Sequence, residues 1–473
     1  MLSSKITRRR FVHHCAACSA GMAILPTAAL ASLKAPLFSP AINAEKAKVS
    51  VIFAHPDPDY PNWPNIGYDF EGKIRQAKKM LIKNCPDIEF NFISTMDGSA
   101  EEGTRIIKQT GNADGYAIYL VGCLWGNLTE TIATHGKPTV MIDHLYAGSG
   151  EFLTSFARVR REGHKVVAVS SSDDQDIIKS MRLLSTLKKL QQSRMLVVGN
   201  SADKGINEVY GTDVVGMSFE PLKNAYEQIN PEDARKQARI WTKEANRVIE
   251  PSKDDIYEGA RMYLAMHKLI NDHHAQAITV NCLGGIYSGQ LPVAYPCLGF
   301  MALDDQGLVG ACEADQRSTL TKMLMTYLVG RPGFISDPVI DTSKNQIIYA
   351  HCIAPTKVYG PDGTKNPFDL RSHSEDRKGA CNRSLMPLGD MTTTIQFDHS
   401  KKKVIFHQGI AVENVDDDRA CRNKLAIEVK GDIHKLLNEW DQWGWHRVTF
   451  FGDFKREVYD ISRLLGFEVQ EEA

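Results

Sequence analysis

Short apolar runs rich in β-branched residues alternate with stretches of helical spacing from Lys48 to Val329, and no other feature constrains the fold as strongly. The runs Lys48 to Phe53, Ile88 to Ile93, Gly115 to Val121, Pro138 to Ile142 and Lys165 to Ser170 read as buried strands. Between the first two, residues 71–84 place Ile74, Ala77 and Leu81 on one helical stripe. Strands that alternate with helices predict a parallel sheet covered on both faces, because each parallel crossover lays a helix on the sheet. The chain has 473 residues and is 43% hydrophobic, enough for several cores.

A second unit of the same kind opens at Arg194 to Gly199. Helical stretches near 231–249 and 254–272 follow, then strands at Ala277 to Asn281 and Leu308 to Cys312. A helix from Asp315 to Val329 carries Leu320, Leu324 and Leu328 on one side. After residue 344 the texture changes. Strands are expected at Gln346 to Ala354, Met391 to Phe397, Val404 to His407, Leu425 to Val429 and Arg447 to Phe451, separated by turns such as Tyr359-Gly360-Pro361-Asp362-Gly363. A closing helix is expected near 454–465. The expected class is α/β: doubly wound parallel-sheet domains at 47–190 and 194–343, then an antiparallel β-rich domain at 344–473.

The N-terminus reads as an export signal over residues 1–31, with a linker at 32–46. Thr7-Arg8-Arg9-Arg10-Phe11-Val12 precedes an apolar run from Gly21 to Leu30 and a small-x-small site at Ala29-Leu30-Ala31. Paired arginines before Phe and an aliphatic residue resemble the twin-arginine type, so the translocase of that route is an expected partner and the periplasm the expected location. Removal of Lys5, Arg8, Arg9 and Arg10 takes the net charge from −1 to −5. Eight cysteines remain (85, 123, 282, 297, 312, 352, 381 and 421), none in a C-x-x-C pair. A zinc ribbon is not indicated, and most of these thiols are expected to be buried and reduced.

Near-zero charge gives no sign of a nucleic-acid partner. No G-x-G-x-x-G turn follows Phe53 or Val198, and Gly199 to Gly205 lacks the Gly-Lys-Ser/Thr ending of a phosphate loop, which argues against dinucleotide and nucleotide enzymes. The chemistry-bearing residues lie further on. Glu313 stands where a buried strand gives way to a helix, a position that commonly faces a ligand crevice and that also suits a capping acid. Asp337 is expected in a loop, because Gly333 and Pro338 flank it. His351 falls inside a strand-like run, and His373 in a polar loop with Ser374 and Glu375. His446 follows Trp443-Gly444-Trp445, a setting that suggests a partly dry pocket, and Trp445 is a candidate to stack on a sugar.

The order Glu313, Asp337, His351, His446 resembles that of the L-fucose/L-arabinose isomerase superfamily, most closely its fucose isomerase-like branch. The resemblance rests on Cys312-Glu313-Ala314-Asp315, the Leu320 to Gly333 segment, Phe334 to Asp337, Asn345, His351-Cys352 and Trp445-His446-Arg447. It implies a barrel-like C-terminal domain, and Mn²⁺ or Mg²⁺ held by Glu313, Asp337 and His446. It further implies aldose–ketose interconversion of a small sugar through an enediol, with Glu313 and Asp337 as the proton-shuttling pair. Arabinose-type members add a histidine near His351 and place Glu where this chain has Asp337. The aspartate favours the fucose-type arrangement, which leaves His351, like His373, a further candidate rather than an assigned ligand. A homo-oligomer, trimeric or hexameric, is also implied. Export sits awkwardly with sugar catabolism, so two alternatives stand beside the isomerase: a metal-dependent sugar-modifying enzyme of altered chemistry, and an exported carbohydrate-binding protein on the same fold.

Overall fold

The computed structural model describes residues 45–199 and 210–473. The expected signal peptide at 1–31, and the linker at 32–46 apart from its last two residues, lie outside the described residues.

Strands β1 (Ala47–Ala54), β2 (Ile88–Thr95), β3 (Gly115–Leu120), β4 (Thr139–Asp143) and β5 (Val166–Ser170) form a parallel sheet in the order β2-β1-β3-β4-β5. Every residue of β3 and β4 is buried, as a strand covered on both faces requires. The helices are α1 (Phe70–Asn84), α2 (Ala100–Gln109), α3 (Leu128–Ala133), α4 (Ser149–Arg161) and α5 (Asp174–Gln191). Helix α1 starts where Asp69 accepts a hydrogen bond from the Gly72 amide, and it turns Phe70, Ile74, Ala77 and Leu81 inward.

The second half of the α/β region runs β6 (Arg194–Val198), β7 (Asp213–Met217), α6 (Glu220–Glu227), α7 (Pro231–Glu244), β8 (Arg247–Val248), α8 (Lys253–Asp272), β9 (Ala277–Val280), α9 (Cys282–Tyr287), α10 (Cys297–Asp305), β10 (Val309–Cys312) and α11 (Gln316–Val329). Four of these strands make a parallel sheet in the order β10-β9-β6-β7. A wholly buried ion pair, Lys322 to Asp304 at 2.7 Å, ties α11 to α10, and the same ammonium donates to the Gly310 carbonyl at 2.6 Å. Strand β10 is thereby clamped at its middle. Helix α11 stops at Gly330, whose φ of 67° favours glycine.

The C-terminal elements are β11 (Phe334–Asp341), β12 (Gln346–His351), β13 (Phe368–Arg371), β14 (Cys381–Ser384), β15 (Met391–Asp398), β16 (Lys403–Asn414), β17 (Asn423–Val429), α12 (Ile433–Glu439), β18 (Arg447–Phe451), α13 (Lys455–Leu465) and β19 (Glu468–Glu471). Six antiparallel strands run in the order β15-β18-β11-β12-β17-β16, and pairing of β15 with β16 closes them into a barrel. Strand β19 adds in parallel to β16. The barrel begins at Phe334, inside the segment expected to complete the second α/β domain. Asp337, expected in a loop, lies within β11. Pro338 is accommodated because pairing with β18 ends at Ser336, so one flank of β11 is open there. Strand β8 pairs with β13, and Arg247 bonds to buried Asp369, joining the two halves across 122 residues. One apolar core runs through all three layers, from Val51 through Leu184, Met195 and Leu324 to Ile395, Val448 and Ile461.

A buried polar chain crosses the barrel. The Tyr349 hydroxyl lies 3.0 Å from His407 Nε2, His407 Nδ1 lies 2.8 Å from Glu472, and Arg447 donates to Glu472 at 2.8 Å through Nη2. The Arg447 guanidinium stacks over Trp440 at 4.0 Å. Burial would raise the Glu472 carboxyl, but the charge of Arg447 and the hydrogen bond with His407 outweigh it and hold the carboxyl down at about 2. The stabilisation this implies is complete above the carboxyl's ordinary value of 4.5 and is lost as pH falls from 4.5 towards about 2. Glu472→Gln strands Arg447 as a buried charge and is expected to cost about 3–5 kcal/mol at neutral pH. Denaturant unfolding at stepped pH checks this: the gap between wild type and variant closes in that acid window, and a gap independent of pH contradicts it.

Candidate metal centre

The site is built where β10 ends and the barrel opens. Cys312 is the last residue of β10, and the next two residues, Glu313 and Ala314, both take left-handed backbone with φ of 64° and 54°. Left-handed conformation costs an ordinary residue about 1–2 kcal/mol. Two in succession, neither a glycine, mark strain of the kind that concentrates at functional sites. Asp315 then caps α11 by accepting from the Ser318 amide at 3.0 Å. The capping role weighed for Glu313 therefore belongs to Asp315, and the turn leaves the Glu313 carboxylate between two imidazoles.

These imidazoles come from the two strands that flank β11 in the barrel. His351 ends β12 and is buried; His446 immediately precedes β18. Glu313 Oε1 lies 3.8 Å from His351 Nε2, and Oε2 lies 3.7 Å from His446 Nε2. The two rings are 5.5 Å apart and nearly perpendicular. Both Nε2 atoms are buried and neither makes a hydrogen bond. Donor atoms of Glu313, His351 and His446 all fall within 4.8 Å of one another. Two buried imidazole nitrogens without hydrogen-bond partners, aimed at a shared carboxylate, fit a divalent cation.

Asp337, reaching in from β11, places Oδ1 3.2 Å from His446 Nε2, an electrostatic contact outside hydrogen-bond geometry. The same oxygen accepts from Trp445 Nε1 at 2.6 Å. On the far side of His446, Nδ1 lies 2.8 Å from Asp315 Oδ2. Asp315 can only accept there, so the network places a proton on Nδ1 and leaves Nε2 as the atom that faces Glu313. Burial would lower the His446 imidazole, but Asp315 and Asp337 outweigh it and raise it to about 10. This measures how negative the site is. Burial pushes the Glu313 carboxyl up against the opposing effect of the two imidazoles. Asp337 is half-buried, yet the contacts with His446, His351 and Trp445 hold it below the usual carboxylate value.

The remaining sequence candidates take other places. Trp445 is exposed over its indole while its N–H is committed to Asp337. His373 is buried with its ring stacked on Tyr295 at 4.8 Å, outside the donor group of Glu313, His351 and His446. A cleft of about 330 Å³ opens beside His446, walled by Asp315, Arg317, Gln396, Trp443 and Trp445. Sequence reasoning missed Asp315 as the residue that orients His446. The spacing Asp315 to Ser318 announces a helix cap, but a partner 131 residues away leaves no local trace.

No family model matches the chain. Three curated relatives are sulfoquinovose isomerases. One, from a Clostridium sp., is 23% identical over 225 residues, which is 44% of this chain and 47% of the relative. The match thus spans about half of that relative's length. Those from Priestia aryabhattai and Priestia megaterium are each 19% identical over 313 residues, 62% of this chain and 68% of theirs. These similarities support the sugar-isomerase superfamily that the C-terminal motifs resemble. Among solved structures, a mutant of the XylFII-LytSN complex aligns with 52% of this chain and 84% of its own at 12% identity and a TM-score of 0.14, a likeness too slight to carry an argument.

Asp315→Asn tests the orienting role separately from the capping role, because Asn caps a helix about as well as Asp. The expected result is Mn²⁺ affinity reduced about 10–100-fold with unfolding stability nearly unchanged. Calorimetric titration with Mn²⁺ reads the first and thermal unfolding the second. Unaltered affinity removes Asp315 from the site.

Proposed function

We propose that the protein is a divalent-metal-dependent aldose–ketose isomerase. The observation that carries this reading is the convergence of two buried, hydrogen-bond-free imidazole nitrogens on the Glu313 carboxylate. The relatives' shared name points the same way and puts sulfoquinovose first among substrates to try. Glu313, His351 and His446 are the proposed ligands, with Asp337 beside them. Mixed carboxylate and imidazole donors suit Mn²⁺, with Mg²⁺ as the alternative. When bound, the cation supplies Lewis-acid polarisation of the oxygens on the two carbons that exchange oxidation level.

The chain's own groups do the proton work. Isomerisation moves one proton between C1 and C2 of the open-chain sugar through an enediol, so a carboxylate must accept it from one carbon and return it to the other. Glu313 is placed for that role, its carboxylate open to an incoming sugar and flanked by the His351 and His446 imidazoles. Asp337, anchored by Trp445, supplies the second carboxylate for protons on the oxygens. Trp445 offers an exposed ring face beside the cleft for the apolar side of a sugar. Export by the twin-arginine route and assembly into a homo-oligomer belong to the same proposal; they rest on Arg8 to Val12 and on the family resemblance.

Purified protein loaded with Mn²⁺ is expected to convert at least one member of an aldose panel, sulfoquinovose included, to its ketose. Glu313→Gln is expected to lower turnover by at least about 10²-fold while circular dichroism and unfolding stay as in the wild type. Metal bound with no aldose converted overturns the isomerase reading in favour of altered chemistry. Sugar bound with no metal bound favours a binding protein.

A further inference from the structure

We propose that the groove between α7 and α8 is a binding site for a small soluble anion carrying two phosphate- or sulfate-type groups. The groove has a volume of about 580 Å³, and four cations, Arg235, Arg239, Lys243 and Lys253, line it against one acid, Asp254. Arg235, Arg239 and Lys243 recur every four residues, so they form one stripe along α7 with a rise of about 6 Å per step. Ala238 and Thr242 line the groove beside that stripe, and their short side chains leave the space open. Lys253 opens α8, and Tyr257 and Arg261 follow it one and two turns on. The two stripes run side by side: the guanidinium carbons of Arg235 and Arg261 each lie 5.9 Å from the centre of the Tyr257 ring.

Like charges four residues apart on a helix repel one another, and a lysine in a helix's first turn adds to the positive end of the dipole. Acids placed alongside normally relieve such crowding. Here the nearby acids are engaged elsewhere: Glu244 pairs with Lys365, Asp255 closes the capping box on Ser252, and Glu258 serves Tyr226 and Arg261. Glu232 pairs with Arg235. Among the described residues, the side chains of Arg239, Lys243 and Lys253 are in no ion pair. The Arg261 Nε is buried without a hydrogen-bond partner. The whole chain has a net charge of −1, so the excess of positive charge is local. A single carboxylate would occupy one guanidinium fork, whereas neutralising cations on both walls takes a multiply charged anion. Arginine forks grip the oxygens of such a group in pairs, and the lysines add point charges. No residue of the groove belongs to the carboxylate–histidine group, so the site stands apart from the isomerase reading.

Full-length protein, stripped of metal and then freed of chelator, is the material for the test. Calorimetric titration with inorganic pyrophosphate is run in a buffer without phosphate or sulfate. The absence of divalent ions keeps the probe from being held through a metal at Glu313. One site per chain is expected, and added salt is expected to weaken it, because exposed charges are screened. Arg239→Ala and Lys243→Ala are each expected to weaken binding about tenfold, the worth of one charge-assisted hydrogen bond. Lys236→Ala, an exposed cation on α7 outside the groove, is expected to leave the affinity unchanged. Thermal unfolding gives a second readout: pyrophosphate raises the midpoint of the wild type and of Lys236→Ala more than that of the two groove variants. Glu313→Gln keeps pyrophosphate binding whatever becomes of the isomerase activity, so the two readings fail separately. Absence of binding at millimolar pyrophosphate overturns the proposal. So does binding that Arg239→Ala and Lys243→Ala leave undiminished. An equal loss in Lys236→Ala overturns it as well, since it reports diffuse surface charge and not a site.

Discussion

A buried cation on β18 holds the C-terminal half of this molecule in one arrangement. Arg447 is among the largest fully buried side chains, and it reaches Glu472 next to the end of the sequence while stacking on Trp440. Desolvating such a pair is expensive, and the cost is met only when every donor finds an acceptor. The remaining Arg447 donors go to the carbonyls of Gly444 and His446, at 2.9 Å and 3.0 Å. The same guanidinium therefore satisfies the buried carboxylate and fixes the backbone that presents Trp445 and His446. Barrel closure and placement of the imidazole are two outcomes of one electrostatic requirement.

The opposite wall of the site depends on a second buried pair. Lys322 and Asp304 pin β10 to the helices beside it, so the strand delivers Cys312 and Glu313 to a fixed point. The parallel sheet contributes a strand end, the usual location for ligands in such sheets, and the barrel contributes Asp337, His351 and His446. Neither layer contains the donor group alone. The site forms only where the two layers share their core, which explains why no single stretch of sequence announces it.

Much of the architecture was legible because strand runs such as Lys48 to Phe53 and Gly115 to Val121 are apolar on both faces, and that pattern has one common use. The closing helix, α13, was legible for the same reason in its own period. What escaped had no periodic signal. β8 has only two residues, β13 and β14 only four each, too short for alternation to show. Pro338 and Gly333 argued for a loop at Asp337, and only the pairing partner of β11 shows why a strand tolerates them. Within the site, the acids and histidines stood out by residue type, but Asp315 reads as a helix cap because it is one. The cysteines gave nothing, since the approach of Cys312 Sγ to Cys352 Sγ, at 3.5 Å, is a property of the fold and not of their spacing. Of the eight cysteines beyond the expected leader, seven are buried and all are unpaired, as anticipated from their sparse distribution.

The left-handed turn at Glu313 and Ala314 has a consequence for how this protein can diversify. A side chain branched at Cβ is poorly tolerated in that backbone region, whereas Gly, Asn and Asp enter it readily. Position 314 should thus accept a narrow alphabet chosen by torsion angle and not by chemistry, and changes there would tilt the neighbouring carboxylate without altering any group that meets a ligand. A mutational library restricted to that single position would be a way of re-aiming the acid in small steps, a kind of fine adjustment that replacing the acid itself does not offer.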